Sequence, residues 1–368
     1  MLLSFASDTA RPNAPGDLHR WCADIQVVPV DPFAANRTST LRTFLSLRPP
    51  LSRPISAMDE LVAEAFRSRC FDAVIASSDM MVSYALQAPN NTVKILEEHN
   101  SLTRWMQERY ESALGSVYRL RCWVSWQKRR LYESHIYRDF DLITMVSHQD
   151  CTATQTIIGQ THPPVRVVPN GVDCGERRPS EVPPVAGRLI YSGALTYSAN
   201  FDAVSYFLDN IFPRVKQQCA DAHLVVTGSV AGVDTTRFES NESVTLTGFV
   251  EDVNREITQA MVCVVPLLAG GGTRLKILEA MALGVPIVST SKGAEGLDVV
   301  DGEHLLLADN PTAFARCILE LLGNRELGRQ LAVNARRLVE ERYDWHAIGV
   351  QFSDLLESVV ESRSESPA

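Results

Sequence analysis

Short runs of β-branched and other apolar residues alternate along the first half of the chain with longer segments whose apolar residues recur at helical spacing. The short runs predict strands at Met1–Asp8, Ile25–Val30, Ala73–Ala76, Val93–Glu97, Leu142–Ser147 and Val165–Pro169. The longer segments predict helices at Met58–Cys70, Leu102–Arg138 and His148–Ile158. This alternation is typical of a parallel sheet covered by helices on both faces.

The second half of the chain repeats the same pattern. Its predicted strands are Arg188–Ser192, Ala222–Thr227, Val244–Thr247, Cys263–Pro266, Pro286–Ser289 and His304–Leu307. Its predicted helices are Ala199–Gln218, Val253–Gln259, Arg274–Ala282, Pro311–Leu322 and Glu326–Arg342. Between the halves, the turn Asn170–Asp173 is followed by the proline-rich segment Arg178–Pro184. We therefore expect an α/β protein with two Rossmann-like, doubly wound domains, 1–170 and 171–345, each with its own sheet, facing each other across a ligand-binding cleft.

Charge and cysteine content exclude several functional classes for this chain. The chain has 35 Lys and Arg against 44 Asp and Glu, and nearly all of the excess negative charge lies after residue 170. Such a field repels phosphate backbones, so no nucleic-acid partner is expected. The eight cysteines form no CxxC pairs, which favours reduced thiols and a cytoplasmic location. No apolar run is long enough for a transmembrane helix, and no residues have metal-ligand spacing.

The segment from Pro266 to Pro286 carries the clearest chemical signal. An apolar strand runs into Gly270, Gly271 and Gly272, and a helix is predicted to begin near Thr273. Glycines let a ligand approach the main chain closely, and the unpaired N–H groups of a helix start favour phosphate. Arg274 and Lys276 place two cations in the first turn, where the helix dipole disfavours them unless an anion is bound. These features predict a diphosphate site.

Glu279 lies further along the same predicted helix, where its carboxylate could accept hydrogen bonds from the two hydroxyls of a ribose. The alternative is a glycine-rich connector followed by a helix with a solvated charged face. The combination of strand, three glycines, two cations and a carboxylate favours the diphosphate site.

From about residue 90 to residue 345 the sequence resembles the retaining glycosyltransferases of family 4, of the glycosyl transferases group 1, which have the GT-B fold. The resemblance rests on Glu98-His99-Asn100, Arg129–Ser147, Val167–Asp173, Ser192–Leu195, Asn200–Ala203, Gly248-Phe249-Val250, Gly271–Pro286 and Gly293–Leu297. It implies retaining, metal-independent transfer of a hexosyl group from a nucleotide diphosphate sugar to an acceptor hydroxyl. The implied acceptor is a carbohydrate, a lipid-linked molecule or a small molecule, in the synthesis of polysaccharide, glycolipid or another glycoconjugate. No cofactor beyond the donor is implied.

The resemblance also assigns roles to particular residues. Glu279 matches the second glutamate of the family's E-x7-E signature, which holds the donor ribose, while Gly271 stands where the first glutamate is expected. The family's basic pair after the first strand of the second domain is replaced by Gly193-Ala194 and Asn200. The implied donor-binding residues are Gly193, Asn200, Phe249, Val250, Gly271, Gly272, Thr273, Arg274, Leu275, Lys276 and Glu279, with Phe249 and Val250 beside the nucleobase. His99 matches a histidine that points at the transferred sugar, with a structural histidine as the alternative.

The resemblance also gives expectations for the two ends of the chain. Met1–Asp8 matches the family's second strand, so the usual first βα unit is expected to be missing. As in the family, residues 346–368 are expected to contain a helix that crosses back to the first domain and, from Glu361, a disordered tail.

Other interpretations remain open at the level of sequence. The region from Arg104 to Arg138 interleaves cations with Trp and Tyr, which fits either peripheral contact with the inner membrane face or a partly buried surface helix. Asp139-Phe140-Asp141 resembles the D-x-D of metal-dependent glycosyltransferases, but we interpret it as a coincidence. A catalytically reduced binding or assembly protein, and a sugar-nucleotide epimerase, are the alternative functions.

Overall fold

A computed structural model describes residues 1–6, 18–32, 54–159, 163–270 and 274–364 of the chain. The chain divides into two compact units: unit 1 comprises Met1–Val168 with Asp354–Ala368, and unit 2 comprises Pro169–Ser353. The division after Val168 lies two residues from the predicted boundary.

Unit 1 alternates strands and helices, with its strands paired in parallel. Its described strands are β1 Leu2–Phe5, β2 Ile25–Val28, β3 Ala73–Ser77, β4 Val93–Glu98, β5 Leu142–Met145 and β6 Val165–Val167. Its described helices are α1 Leu18–Trp21, α2 Ser56–Ser68, α3 Val82–Ala85, α4 Leu102–Glu111, α5 Ser116–Ile136 and α6 His148–Ile158. Within the described residues, β1 pairs with β2 alone, while β3 to β6 form a separate sheet in sequence order. The expectation of one sheet in this half is therefore wrong for these residues.

The two sheets of unit 1 flank an apolar cavity of about 450 Å³. Its lining includes Leu2 and Leu3 of β1 on one side and the whole of β3 on the other. The helix α2 packs beside β1 and β2, because Met58 and Val62 join Val28 in one small core. In the part of unit 1 that is described, the cavity rather than a hydrogen-bond ladder therefore lies between β1 and β3.

The predicted single helix Leu102–Arg138 is divided into α4 and α5. The two are joined by residues 112–115, and Gly115 has φ +86°, a left-handed conformation that favours glycine and ends helical geometry. Arg109 of α4 donates to the Tyr118 hydroxyl of α5 at 2.9 Å. The helices α4 and α5 therefore form a helical hairpin rather than one continuous helix.

Unit 2 is a Rossmann-like unit with one parallel sheet. Its described strands are β7 Arg188–Ser192, β8 His223–Thr227, β9 Val244–Gly248, β10 Val262–Val265, β11 Ile287–Ser289 and β12 Leu306–Leu307. Its helices are α7 Ser198–Tyr206, α8 Phe212–Gln218, α9 Thr236–Glu239, α10 Val253–Thr258, α11 Leu275–Ala282, α12 Pro311–Gly323 and α13 Arg325–Arg342. The strand order is β12-β11-β10-β7-β8-β9, and the faces of this sheet bury a continuous apolar core.

The predicted helix Ala199–Gln218 is interrupted in the structure. A π-helical turn, Phe207–Ile211, separates α7 from α8. Pro213 lies in the first turn of α8 and lacks an N–H group, so a regular ladder cannot pass through this point.

A final helix, α14 Trp345–Ser364, belongs to unit 2 up to Ser353 and to unit 1 from Asp354. Its last turns place Leu355, Leu356, Val359 and Val360 against Val93, Ile95 and Leu142 of the unit 1 sheet. The tail predicted from Glu361 is wrong for residues 361–364, which are helical, while 365–368 lie outside the described residues. In the described ranges, no helix combines the length and apolar character needed to cross a bilayer.

Candidate functional site

The strand order of unit 2 reverses between β7 and β10. These strands are neighbours in the sheet, although β8 and β9 lie between them in sequence. The chain proceeds from β7 to one side of the sheet and from β10 to the other, so the connections after these strands leave in opposite directions and open a crevice at their carboxyl ends. Gly193 follows β7, and Pro266–Gly270 follows β10. Of the predicted donor-binding residues that the structure describes, Gly193, Asn200, Arg274 and Lys276 lie near these two strand ends.

Lys276, in the first turn of α11, reaches across to the end of β7. Its Nζ donates to the Tyr191 hydroxyl at 2.8 Å and to Asn200 Oδ1 at 2.9 Å. Tyr191 donates to the same Asn200 oxygen at 2.7 Å, and Asn200 Nδ2 donates to the Ala194 carbonyl at 2.8 Å. A Cβ on Gly193 would lie 2.8 Å from Lys276 Nζ, so glycine makes room for the amine. The structure thus brings together Gly193, Asn200 and Lys276, three predicted donor-binding residues that lie in separate segments of the sequence.

The surroundings of Lys276 disfavour the protonated, charged form of its amine. Burial, with a smaller contribution from the nearby Arg274 guanidinium, lowers its pKa from the usual 10.5 to about 7. Tyr191, whose pKa burial raises well above its usual value, stays a neutral hydroxyl. A dianionic group placed beside this amine would favour its charged form.

Arg274 supplies a second cation immediately before α11. It is 6% exposed, and its Nη2 donates to the carbonyls of Gly270 at 2.7 Å and Lys292 at 3.2 Å. The loop that carries Lys292 lies close to β10, because a Cβ on Gly293 would come within 2.7 Å of the Val265 carbonyl. Main-chain groups therefore fix this guanidinium at the end of β10.

Glu279 lies one turn after Lys276 on the same face of α11. Its Oε1 is 3.2 Å from Nη2 of Arg177, a partner that the sequence analysis missed. Arg177 is held in turn by Arg336, which donates to its carbonyl and, at 2.9 Å, to that of Cys174. The segment around Arg177 gave no sequence signal for this pairing, because the contact spans 102 residues.

The remaining predicted donor-binding residues differ in how they are placed. Gly271, Gly272 and Thr273 lie outside the described residues. Leu275 begins α11 with its side chain partly exposed. Phe249, directly after β9, is 83% exposed, and the half-buried Val250 follows it. This ring is free to stack on a planar ligand.

The end of β9 is tied to the neighbouring strands. Gly228 N donates to the Gly248 carbonyl at 2.9 Å, and Gly193 N donates to the Thr227 carbonyl at 2.9 Å. These bonds align the ends of β7, β8 and β9 along one edge of the sheet. Phe249 therefore starts from the same edge as Gly193.

His99 belongs to unit 1, where it is exposed in the turn after β4. Directly before it, Glu98 is 4% exposed and accepts a hydrogen bond from Tyr137 at 2.9 Å. Tyr137 connects Glu98 to the buried Arg129, whose contacts include Asp79 and Glu133. Sequence analysis named Glu98 only as part of a motif and missed this buried charged cluster, whose members are up to 58 positions apart.

The hairpin of α4 and α5 exposes apolar side chains at its tip. Leu114 is 90% exposed and Val117 is 83% exposed, and Leu120 is also exposed. Arg109 lies over the rings of Trp105 and Tyr118, with centroid distances of 5.4 and 5.8 Å. Cations and aromatic rings thus accompany the apolar tip.

The second aspartate of the D-x-D sequence, Asp141, has a structural use. Asp141 accepts from Lys94 N at 2.8 Å and from Arg363 at 2.6 Å, which ties β4 to the last turns of α14. Across the described ranges, no three His, Cys, Asp or Glu side chains group together in a way that could hold a metal ion. The contacts of Asp141 with Lys94 and Arg363 support the interpretation of D-x-D as a coincidence.

A comparison with protein families matches residues 186–324 to the model of the glycosyl transferases group 1. The matched segment lies in unit 2 and contains Tyr191, Asn200, Lys276 and Glu279. Among curated proteins, a phosphatidyl-myo-inositol mannosyltransferase of Mycobacterium leprae is 28% identical over 209 residues, which is 54% of each chain. The chain spans about half the length of the curated relatives that it matches first, 42% and 54% of theirs.

Solved structures show the same fold. Sucrose-phosphate synthase of Thermosynechococcus elongatus has a TM-score of 0.69 at 16% identity, covering 98% of this chain and 99% of its own. HepE of Anabaena, in complex with UDP, has a TM-score of 0.66 at 15% identity, covering 97% of this chain and 100% of its own. The chain therefore has the α/β GT-B architecture with parallel sheets, as the resemblance implied.

Proposed function

We propose that the chain is a glycosyltransferase that binds a nucleotide diphosphate sugar at the β7–β10 crevice and transfers its sugar to an acceptor hydroxyl with retention of configuration. The observation that carries this proposal is the Lys276 amine, held by Tyr191 and Asn200 beside Gly193. A cation at a topological switch point is suited to a diphosphate. The group 1 match over the same residues, and the UDP or UDP-glucose held in HepE structures, support the assignment.

The proposed chemistry follows from where the charges lie. As the bond from the sugar to the diphosphate breaks, negative charge grows on the leaving oxygen, and fixed cations stabilise that charge most effectively. Lys276 and Arg274 supply these cations, so we propose that no metal is required. Glu279, oriented by Arg177, accepts from the ribose hydroxyls, and Phe249 stacks on the base. By resemblance, His99 contacts the transferred sugar.

Thermal-shift titration with UDP, GDP and ADP tests donor binding. At least one nucleotide is expected to raise the melting temperature, and Lys276→Met is expected to abolish the increase. Lys216→Met is the matched control, because Lys216 bonds to the carbonyls of Ala220 and Ala222 elsewhere in unit 2. If no nucleotide stabilises the protein, or if Lys276→Met responds as the wild type does, the diphosphate site is wrong.

Transfer itself needs a second measurement. With the sugar nucleotide that binds, NMR of the product is expected to show the anomeric configuration of the donor, and the rate is expected to survive EDTA. An inverted product would contradict retention, and a rate lost in EDTA would contradict metal independence. Donor binding without transfer to any acceptor would support the catalytically reduced binding protein instead.

We further propose that the hairpin of α4 and α5 rests on an anionic lipid surface on the cytoplasmic side, where it meets a lipid-linked acceptor. Leu114, Val117 and Leu120 form an exposed apolar tip, and Arg119 and Arg121 flank Leu120 in sequence. Apolar insertion beside cations is the combination that anionic interfaces favour. The M. leprae relative, named as a phosphatidyl-myo-inositol mannosyltransferase, fits an acceptor of this kind.

Vesicle co-sedimentation tests the lipid contact. The wild type is expected to bind vesicles containing phosphatidylglycerol, less so in high salt, and not vesicles of phosphatidylcholine alone. Leu114→Ser with Val117→Ser is expected to reduce binding severalfold, whereas Val182→Ser, at an exposed apolar residue of unit 2, is expected to leave it unchanged. Equal binding by the tip variant and the wild type would contradict the assignment of this surface.

A further inference from the structure

A buried network of charged groups lies behind the turn that carries His99. Arg129 of α5 donates to Asp79 Oδ2 at 2.7 Å, to Glu133 Oε1 at 2.5 Å and to the Tyr137 hydroxyl at 3.2 Å. Tyr137 then donates to Glu98 Oε1 at 2.9 Å. The three acidic residues and the arginine are each at most 5% exposed. We call these five residues the Arg129 cluster.

The charges of the Arg129 cluster do not balance. The cluster holds three carboxyl groups and one guanidinium, so ionising all three would concentrate negative charge in a buried site. Asp79 and Glu133 touch the guanidinium directly, whereas Glu98 reaches it only through Tyr137. Glu98 is therefore the carboxyl that holds a proton most readily. Burial, with Asp79 adding to it, raises its pKa to about 8.

The turn at His99 is tied to this cluster from both sides. Glu98 precedes His99, and Thr103 follows it and donates to Glu133 Oε2 at 2.7 Å. Between them, Ser101 N donates to Asp150 Oδ1 at 3.3 Å, and the Ser101 hydroxyl caps α4. His99 is thus an exposed residue between buried residues that hold the turn in place. Two of these, Glu98 and Thr103, are connected to Arg129 through Tyr137 and Glu133.

Backbone geometry at the neighbouring strand adds to the constraint. Ser78, between β3 and Asp79, has φ +74°, which is unfavourable for a residue other than glycine. Its N–H donates to the Glu97 carbonyl at 2.7 Å, directly before Glu98. Asp79 is therefore carried into the cluster on a strained connection that also holds the end of β4.

We propose that Glu98 is a positioning residue for the turn of His99, and that this turn keeps its geometry only while Glu98 is protonated. Ionisation of Glu98 adds a buried negative charge beside Asp79 and Glu133, which loosens the anchor on one side of His99. The proposal rests on the proposed function for the role of His99 in sugar transfer. The positioning itself is a property of unit 1 and is measurable without turnover.

NMR of the full chain with ¹³C-labelled histidine tests the proposal. The resonance of His99, assigned by its loss in His99→Gln, is expected to show an inflection near pH 8 that reports the ionisation of Glu98. Glu98→Gln, which keeps the acceptor oxygen and cannot ionise, is expected to remove this inflection while matching the wild-type shift at pH 6.5. Glu97→Gln, at the half-buried neighbour on β4, is expected to retain it.

Tyr137→Phe provides a second variant in case Glu98→Gln folds poorly. The Tyr137 hydroxyl lowers the pKa of Glu98, so its removal is expected to move the inflection to a higher pH. An inflection that is missing from the wild type, persists in Glu98→Gln or stays in place in Tyr137→Phe would overturn the proposal. Failure of nucleotides to stabilise the protein would refute the proposed function and leave this result standing.

Discussion

Lys276 is a cation in surroundings that disfavour its charge. With a pKa of about 7, roughly a tenth of its amines carry a proton at pH 8 when no ligand is bound. A bound diphosphate places negative charge beside the amine and raises its pKa towards or above the usual value. The charge that would hold the donor is therefore formed largely on binding.

Proton uptake on nucleotide binding is the expected consequence. At pH 8, calorimetry in buffers of different ionisation enthalpy should show uptake approaching one proton for the nucleotide that stabilises the protein. By linkage, its Kd should rise by up to about tenfold per pH unit above pH 7. Lys276→Met should bind weakly and take up none. Uptake equal to that of the wild type in this variant would assign the proton to another group.

The raised pKa of Glu98 predicts that its contribution to stability falls as the pH rises, which is opposite to the behaviour of a salt-bridged carboxylate. Its pKa is raised from 4.5 to about 8 by folding, so its contribution to the free energy of unfolding is complete below pH 4.5 and is lost as the pH rises through 8. Relative to Glu98→Gln, the wild type should lose up to about 1.4 kcal/mol per pH unit across this interval. Urea titrations at pH 5.5, 7 and 9 measure it.

Tryptophan fluorescence suits those titrations, because Trp105, Trp123 and Trp126 lie on α4 and α5 of unit 1. Glu97→Gln is the control and should follow the wild type. A difference between the wild type and Glu98→Gln that stays constant with pH would show that Glu98 does not titrate in this range.

At the level of residues, the sequence carried a signal only for groups close to a motif. The pairing of Arg274 and Lys276 with a helix start indicated an anion site, and the structure brings Lys276 to Asn200 and Gly193. Arg177 and the Arg129 cluster gave no such signal. Their contacts join distant segments, and a charged residue in a helix pattern looks like a solvated one until its burial is known.

At the scale of elements, the loop after β11 determines where Arg274 lies. Lys292 in this loop accepts from the Arg274 guanidinium, and Gly293 has no room for a Cβ against β10. Gly293→Ala should therefore move the loop, destabilise unit 2 by about 1–3 kcal/mol and weaken nucleotide binding. Thermal unfolding with and without nucleotide checks both effects.

Gly323→Ala is the matched control for this substitution. Gly323 is the last residue of α12, and a Cβ there would meet no atom within 4 Å. This variant should melt within a degree or two of the wild type or slightly above it. Equal effects of the two substitutions would show that the Gly293 loop does not constrain Arg274.

The limits of the elements were predicted best where patterns were strongest. Strand β7 was placed to the residue and α11 to within one, because short apolar runs and a glycine boundary mark them. The division between α4 and α5 was missed, since Gly115 within a helical pattern is ambiguous until its positive φ is seen. The π-helical turn after α7 was missed because no local pattern marks it.

For the whole molecule, alternation of strands and helices was sufficient to predict two α/β units with parallel sheets. The strand order of unit 2 places the switch point between β7 and β10, beside Gly193 and Gly270. The separation of β1 and β2 from the other described strands was not predictable, because pairing partners depend on long-range contacts rather than on local periodicity.

That separation has a consequence for local opening. In the described residues, β1 and β2 share a hydrogen-bond ladder only with each other, whereas β4 and β5 each lie between two neighbouring strands. Amides protected by a single ladder beside a 450 Å³ cavity should exchange through small fluctuations rather than through unfolding of unit 1. Hydrogen–deuterium exchange should therefore label Leu2–Phe5 and Ile25–Val28 well before Val93–Glu98 and Leu142–Met145, and equal protection would contradict this. Unit 1 would then lose its first strand pair as a separate step, before the sheet that supports His99.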